Sequence, residues 1–340
     1  MTHTKLLRLA AIGVAAFALT ACQAAQPSPS PTGSTKLTIG LTYQPDIQFA
    51  PIYVAEQQGF FAQAGLDVTI RHHGASESLF GALQAGEEDV VFAGGDEMLQ
   101  AKSQGVDVVN IATVYQTYPV AVLVPENSTI STAADLRGHS IGLPGEYGEN
   151  WFALLLLLKQ AGLTTADVTV VSIGYTQQAA LMSNKVDAVV GFTNNDAVRF
   201  AQSGFSVRPI TLSPLAGQAS GLVGAGLGTS SSFLASNTPA LRAMWGAIAK
   251  AMQVCIDAPQ QAITAAKAYV PGLDQADNAA MALATLQATT PLYGQAADFG
   301  QQDTAEWASM VDFMNYAGLL AGQVDATDAY TTAVVPPIQS

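Results

Sequence analysis

The 340-residue sequence predicts an α/β clamshell: two lobes with parallel or mixed sheets, two hinge crossings, and a helical extension at the carboxyl end. Three observations predict it. From residue 36 to 114, strand-length apolar runs alternate with helix-length ones, the pattern of a parallel sheet with helices on both faces. The alternation breaks at Tyr115-Gln-Thr-Tyr-Pro119 and restarts over residues 120–211. A Gly-rich apolar stretch, 221–228, then reads as a strand returning to the first lobe, and everything after it is helical in pattern.

The first strand is expected over residues 36–42, where apolar and polar side chains alternate. Residues 49–65 read as a helix ended by Gly65. Next come a strand over 66–70, a serine-capped helix over 76–85, a strand over 89–93, a short helix over 98–104 and a strand over 106–114. The second lobe repeats the scheme with strands over 120–124, 140–143, 168–173, 188–192 and 207–211. Its helices are expected over 132–136, 150–161, 177–184 and 196–203, with 144–149 as a loop. Helical segments over 232–257, 260–269, 275–289 and 304–320 complete the chain. The crossings, near 115–119 and 213–222, are the hinges of a clamshell that closes on what it binds. Lobe 1 is therefore expected over 36–117 plus 216–340, and lobe 2 over 118–215.

The amino terminus reads as an export signal. Lys5 and Arg8 precede an apolar core over residues 9–19, too short to span a membrane. Leu19-Thr-Ala-Cys22 resembles the lipobox of bacterial lipoproteins, which implies a signal peptide over 1–22 and a lipid on Cys22. Residues 23–35 are rich in Pro, Ser, Gln and Ala with no apolar period, as in a disordered tether. Cys22 and Cys255 are the two cysteines, so no disulfide framework is expected. Cys255 lies in an apolar helical run, as a buried inert thiol does.

A net charge of −13 argues against nucleic acid and against an anionic lipid surface. His3, His72, His73 and His139 show no metal-ligand spacing, and no Gly-x-Ser-x-Gly elbow precedes a helix. No catalytic residue, metal or cofactor is expected.

Open α/β sheets bind ligands beyond the carboxyl ends of their strands. Four strand-end loops are rich in chemistry. The first holds Tyr43, Gln44, Asp46, Gln48 and Phe49; the second, Gly95, Asp96 and Glu97. The third holds Glu146, Tyr147, Glu149 and Trp151; the fourth, Phe192, Asn194 and Asn195. Gln116 and Tyr118 sit at the hinge. Tyr43, Phe49, Tyr147 and Trp151 suit a planar ring, and the amides suit ring nitrogens and carbonyls. Phe49 is equally a helix-core residue, and Asn195 or Asp196 equally a helix cap. The carboxylates Asp46, Asp96, Glu97, Glu146 and Glu149 oppose an anion at the helix entrances, where anions usually bind, and suit a ligand with N–H donors.

Several fragments resemble one family together: Gln48-Phe-Ala-Pro-Ile-Tyr-Val-Ala55, Gly59-Phe-Phe61, Gly65-Leu-Asp-Val68, the run Asp89-Val-Val-Phe-Ala-Gly-Gly-Asp-Glu97, Ala134-Asp-Leu-Arg-Gly-His-Ser-Ile-Gly-Leu143 and Val186-Asp-Ala-Val-Val-Gly191. They resemble solute-binding proteins of ABC importers, in the branch that binds thiamine pyrimidine precursors or riboflavin. Asp46-Ile-Gln-Phe-Ala-Pro51 with Tyr118-Pro-Val-Ala121 leans to the flavin side. The resemblance implies the type II periplasmic-binding-protein fold, with the carboxyl-terminal helices in the first lobe. It implies a monomer, lipid-anchored to the outer face of the cytoplasmic membrane, that delivers a small heteroaromatic ligand to a permease and its ATPase. Two alternatives are a thiamine-pyrimidine synthase and a ligand-sensing lipoprotein. The synthase should carry a cysteine-rich iron motif, and this sequence has none.

Overall fold

A computed structural model describes residues 34–74, 77–212 and 221–338. The signal peptide, Cys22, nearly all of the tether, the Ser76 cap and most of the second crossing lie outside the described residues. The first half of the described chain runs β1 (Thr35–Leu41), α1 (Ala50–Gln57), α2 (Phe60–Gln63), β2 (Leu66–His72), α3 (Gly81–Ala85), β3 (Val90–Gly94), α4 (Gly95–Ser103) and β4 (Val109–Thr113). Then follow β5 (Val120–Pro125), β6 (Ser140–Leu143), α5 (Gly148–Gln160), β7 (Thr169–Ser172), α6 (Gln177–Met182), β8 (Ala188–Phe192), α7 (Asp196–Gln202) and β9 (Val207–Thr211). The last elements are β10 (Ala225–Thr229), α8 (Ser231–Asp257), α9 (Pro259–Ala266), α10 (Ala276–Thr289), α11 (Thr304–Tyr316) and α12 (Ala326–Ala329).

The strands form two five-stranded mixed sheets, ordered β2-β1-β3-β10-β4 and β7-β6-β8-β5-β9. In each, the fourth strand runs against its neighbours, β10 against β3 and β4 and β5 against β8 and β9. The others lie parallel, as in β1 and β2, paired from Thr35 opposite Leu66 to Leu41 opposite His72. The expected return strand is thus β10, wedged into the first sheet. Its Ala-Gly-Leu-Gly-Thr sequence reflects close neighbours: a Cβ on Gly226 would meet the Ala112 carbonyl oxygen at 2.6 Å.

Several boundaries differ from expectation. The helix expected over 49–65 is split into α1 and α2, because Gly59 adopts φ +70° and interrupts the hydrogen-bond ladder. Of the described part of the helix expected over 76–85, only Gly81–Ala85 is helical; residues 77–80 form a bend and a turn. α8 is bent at Asn237, two residues before Pro239, whose ring cannot continue the ladder. α12, capped by Asp325, has no counterpart in the pattern. Most important for function, α4 begins at Gly95 and α5 at Gly148. Gly95, Asp96, Glu97 and Glu149 are therefore first-turn helix residues rather than loop residues.

Both sheets carry helices on both faces. On the first, α1, α8, α9 and α10 bury one side and Leu83 of α3 with Met98 of α4 the other. On the second, Ala180 and Leu181 of α6 and Phe200 of α7 pack one side and α5 the other. The carboxyl-terminal helices do not all join the first sheet: Trp307, Met310, Phe313 and Met314 of α11 bury in the cluster of α5 and the second sheet. This explains the near-continuous apolar run Trp151-Phe-Ala-Leu-Leu-Leu-Leu-Leu158. With a sheet on one side and α11 on the other, α5 has no broad face left for water. Each leucine buried in full contributes about 1.5–3 kcal/mol. Leu154, Leu157 and Leu158 therefore hold the start of α5 firmly where it meets the first sheet's loops.

Candidate functional site

A cavity of about 280 Å³ opens between the strand-end loops of the two sheets. From the first sheet's side come Thr42, Tyr43, Gln48, Phe49, Leu79, Phe92, Ala93, Gly94 and Glu97. From the second come Pro144, Tyr147, Gly148, Glu149, Asn150, Tyr175, Gln177, Phe192, Asn195, Asp196 and Arg199. Tyr115 of the first crossing and Ala225 of β10 close the remaining wall.

The apolar wall is built edge to face. Phe49 meets Phe92 with ring centroids 5.3 Å apart at 88°, and Phe92 meets Tyr115 at 6.1 Å and 76°. Phe49 is thus both core and cavity wall. Three tyrosines mark the mouth: Tyr43 is 43% exposed, Tyr147 58% and Tyr175 73%. Tyr175 faces both Tyr147 and Tyr43, so the aromatic rim draws on both sheets. Large rings left this exposed have apolar faces free to stack on a planar ligand.

The polar end is built where α4 and α5 begin. Glu97 Oε2 accepts the Gly94 N–H at 3.1 Å, a reach back to the helix cap. Asp96 Oδ1 accepts the Glu97 N–H at 2.8 Å. The Tyr118 hydroxyl lies 2.6 Å from Asp96 Oδ2 and 3.2 Å from the Glu149 carbonyl oxygen. One hydroxyl proton cannot serve both oxygens fully, but a protonated Asp96 donates to Tyr118, which then donates to Glu149. Burial, the leading cause, pushes Asp96 up to about 7 and Glu97 up to about 8, and Asp96 adds to the rise of Glu97. Burial and then the charges of Glu97 and Asp96 hold Glu149 well above the usual carboxylate range. Among the described residues, Glu149 Oε1 and Asn150 Oδ1 are buried polar atoms of the cavity lining with no hydrogen-bond partner, while the Tyr115 hydroxyl faces Asn194. Each such group left unmatched costs about 1–3 kcal/mol, so the site is arranged to be completed by something else.

Arg199 is the one basic residue among the described lining residues. Its Nε donates to Asn195 Oδ1 at 2.7 Å, and its charge offsets the rise that burial imposes on Asp46 and Asp196.

Of the residues expected from sequence, Tyr43, Gln48, Phe49, Glu97, Tyr147, Glu149, Phe192 and Asn195 line the cavity. The others stand elsewhere. Gln44 donates to the Tyr43 hydroxyl at 3.3 Å on the surface. Asp46 caps the short turn Ile47–Phe49 by accepting the Gln48 N–H at 3.1 Å. Gly95 and Asp96 lie behind the wall, Asp96 fully buried and held by Tyr118. Gln116 donates to the Thr113 and Gln301 carbonyls at 2.7 and 3.2 Å, bracing the crossing. Glu146 is exposed outside the cavity, and Trp151 packs half-buried against the second sheet's core. Asn194 is buried and donates to Thr289 Oγ1 of α10 at 2.9 Å, tying the second sheet's loop to the extension. Sequence reading missed Tyr175 and Arg199. Tyr175 sits in a fifth strand-end loop, after β7, and Arg199 falls one helical turn beyond Asn195. The spacing places each near a strand end, but their convergence on the cavity is set by the fold.

The sequence pattern of the family described as "NMT1/THI5 like" matches residues 46–262. Riboflavin-binding protein RibY of Chloroflexus aurantiacus is 31% identical, over 97% of this chain and 98% of its own. Formylaminopyrimidine-binding protein of Halalkalibacterium halodurans is 22% identical, over 96% and 99%. 4-amino-5-hydroxymethyl-2-methylpyrimidine phosphate synthase of Uromyces fabae is 27% identical over only 49% of each chain. Among solved structures, the alkanesulfonate-binding protein SsuA of Xanthomonas axonopodis pv. citri superposes with TM-score 0.66, covering 88% of this chain and 99% of its own at 21% identity. That likeness bears on the fold.

Proposed function

Because this chain belongs to the NMT1/THI5-like family, we propose that it is the solute-binding component of an ABC importer for riboflavin or a thiamine pyrimidine precursor. The ligand enters the cleft between lobe 1, residues 36–117 with 216–340, and lobe 2, residues 118–215. The lobes close on it, and a permease with its ATPase receives it. The observation that carries this reading is the cavity itself: aromatic walls from both sheets around buried acceptors that lack donors. A flat heterocycle with N–H groups answers both features, its faces against the rings and its edge against the acceptors. Closure follows, because such a ligand has contacts on both sides and so prefers the closed state. Riboflavin comes first of the two ligands, since RibY is the relative with the higher identity over nearly full length.

We also propose that the chain binds without transforming its ligand. The binding-protein relatives match it over nearly their whole length, and the synthase over half. The deciding experiment is mass spectrometry of small molecules released from the purified protein. Riboflavin would also colour the preparation yellow. Recovery of neither a flavin nor an aminopyrimidine, with no thermal stabilisation by either, would sink the ligand class.

The filled helix entrances give a sharper prediction. Glu97 and Glu149 occupy the two helix entrances where an anion would otherwise sit. Taurine, nitrate and sulfate are therefore expected to leave the melting temperature unmoved. A cognate ligand at 100 times its dissociation constant stabilises by about 2.7 kcal/mol, an easy shift to see. A clear shift with an alkanesulfonate would reverse the assignment.

Among the described residues no helix is long and apolar enough to cross a membrane. Membrane attachment is proposed through lipid on Cys22. Cys22→Ala is expected to move the protein from the membrane fraction to the soluble one; an unchanged distribution on fractionation would remove the anchor.

A further inference from the structure

What Glu149 does depends on its neighbours, and rests on the reading of the cavity as a ligand site. α4 and α5 enter the cavity end-on, one from each sheet. A Cβ on Gly94 would meet Glu149 Oε1 at 3.1 Å, and a Cβ on Gly148 would meet Glu97 Oε1 at 3.3 Å. Each glutamate thus reaches to the other helix's entrance. Among the described residues, the titratable groups around the pair are Asp96 on α4, Tyr118 at the start of β5, Tyr115 in the crossing and Tyr175 after β7. None is basic. Arg199, the cation of the cavity, acts on Asp46 and Asp196 instead.

Three carboxyl groups packed this closely, with no basic side chain among them, cannot all carry charge. Their hydrogen bonds single out one. Asp96 has the Glu97 N–H and the Tyr118 hydroxyl. Glu97 has the Gly94 N–H. Glu149 Oε1 is buried with no partner and belongs to a residue on the cavity wall. Burial and both neighbouring acids also hold the Glu149 carboxyl well above its usual range.

We infer that Glu149 meets the ligand as a neutral carboxylic acid and reads a cyclic amide or amidine edge through a two-point hydrogen bond. A neutral acid presents O–H beside C=O. The complementary edge presents an acceptor beside N–H, as in the imide of a flavin or the N=C–NH2 of an aminopyrimidine. An ionised carboxylate would want two donors and would repel the ring carbonyl. Glu149 is thus the specificity-determining residue of the site, selecting an acceptor-beside-donor edge over the two-donor edge of an amidinium-type cation.

The probes are riboflavin and its N3-methyl derivative, titrated by flavin fluorescence, and 4-amino-5-hydroxymethyl-2-methylpyrimidine, titrated by calorimetry. Glu149→Gln keeps a donor beside an acceptor, so it is expected to lose only severalfold in affinity. Glu149→Ala is expected to lose about tenfold to a hundredfold, the cost of buried hydrogen bonds left unmade. N3-methylation is expected to weaken riboflavin binding to wild type and Glu149→Gln and to make little difference in Glu149→Ala. Wild-type affinity is expected to fall at alkaline pH, where the acid ionises, and Glu149→Gln to fall less. A loss in Glu149→Gln as large as in Glu149→Ala would mean an ionised carboxylate and would overturn the inference. The ligand-free protein supplies a separate readout: the infrared carbonyl band of a protonated acid at pH 7, expected in wild type and diminished in Glu149→Gln. Absence of that change overturns the neutral acid while leaving the transport reading intact. Failure of all three probes to bind overturns the ligand class and the edge reading together, whatever the infrared result.

Discussion

Between pH 5 and pH 9 the ligand-free protein is expected to lose several kcal/mol of unfolding free energy. The main cause is the carboxyl cluster at the entrances of α4 and α5; Asp46, Asp196 and Glu56, also raised by burial, act in the same sense. In the unfolded chain, Asp96 and Glu97 release their protons near the ordinary values of 3.8 and 4.5. Folded, burial holds them to about 7 and about 8, and Glu149 is raised as well. Across that interval the native state binds more protons than the unfolded one, so stability falls as pH rises. The contribution is complete below about pH 4 and lost through pH 7–8. His72, lowered by burial, acts in the opposite sense and only below 6.5, which leaves the upper part of the window to the acids. Asp107, Asp135, Asp167, Asp187, Asp325 and Glu77, whose values are lowered, act at more acid pH. Urea denaturation in steps from pH 5 to 9 measures the slope. Glu97→Gln with Glu149→Gln is expected to flatten it above pH 6.5. A wild-type curve already flat there would mean that the three acids ionise without penalty.

Glu88→Ala is expected to cost about 2–4 kcal/mol of stability, from buried hydrogen bonds left unmade and the cavity it opens. Its carboxylate is fully enclosed under β1, where a Cβ on Gly40 would collide with it. It lies 2.9 Å from His73 Nε2 and accepts from Arg71 at 2.7 Å. Without it, the buried His73 ring has neither nitrogen partnered, because Nδ1 has no partner already. Arg71 keeps Glu77 at 2.5 Å, so the loss falls on the histidine and on the hole beneath the sheet. Glu88→Gln fills the same space and should cost about 1–2 kcal/mol, mainly the charge. The check is the urea midpoint of both variants. A loss below about 1 kcal/mol for Glu88→Ala would mean that the network contributes nothing net.

Fold and site were legible in the sequence to different depths. Strand positions followed from runs such as Ser140–Leu143 and Ala188–Phe192, because strands buried on both faces need unbroken apolar stretches. Helix starts were less legible. Gly94-Gly95-Asp96-Glu97 and Gly148-Glu149 look like loop, since glycine carries no helix preference of its own. The structure makes them first turns; at α4 the Asp96 and Glu97 carboxylates satisfy free N–H groups there. Composition picked out the aromatic and acidic loops but not the inward direction of each side chain. Asp46, Asp96, Gln116 and Asn194 have the chemistry of ligand contacts and spend it on caps and cross-braces. Tyr175 and Arg199 lie on the cavity because α5, β7 and α7 converge there, and convergence is a property of the fold.

The placement of β10 orders events during synthesis. The second sheet draws all its strands from one uninterrupted stretch, Val120–Thr211 in extent, whereas the first has a gap between β3 and β4 until Ala225–Thr229 has been made. The first sheet therefore cannot finish first, although its chain emerges first. It must wait with two unpaired strand edges while the second sheet forms from nearer neighbours in sequence, whose loops close at lower entropic cost. Exposed edges are where chains stick to one another. The partly made protein is thus most prone to aggregation in the interval between completion of β4 and arrival of β10, which is when a holding chaperone would be of most use to it.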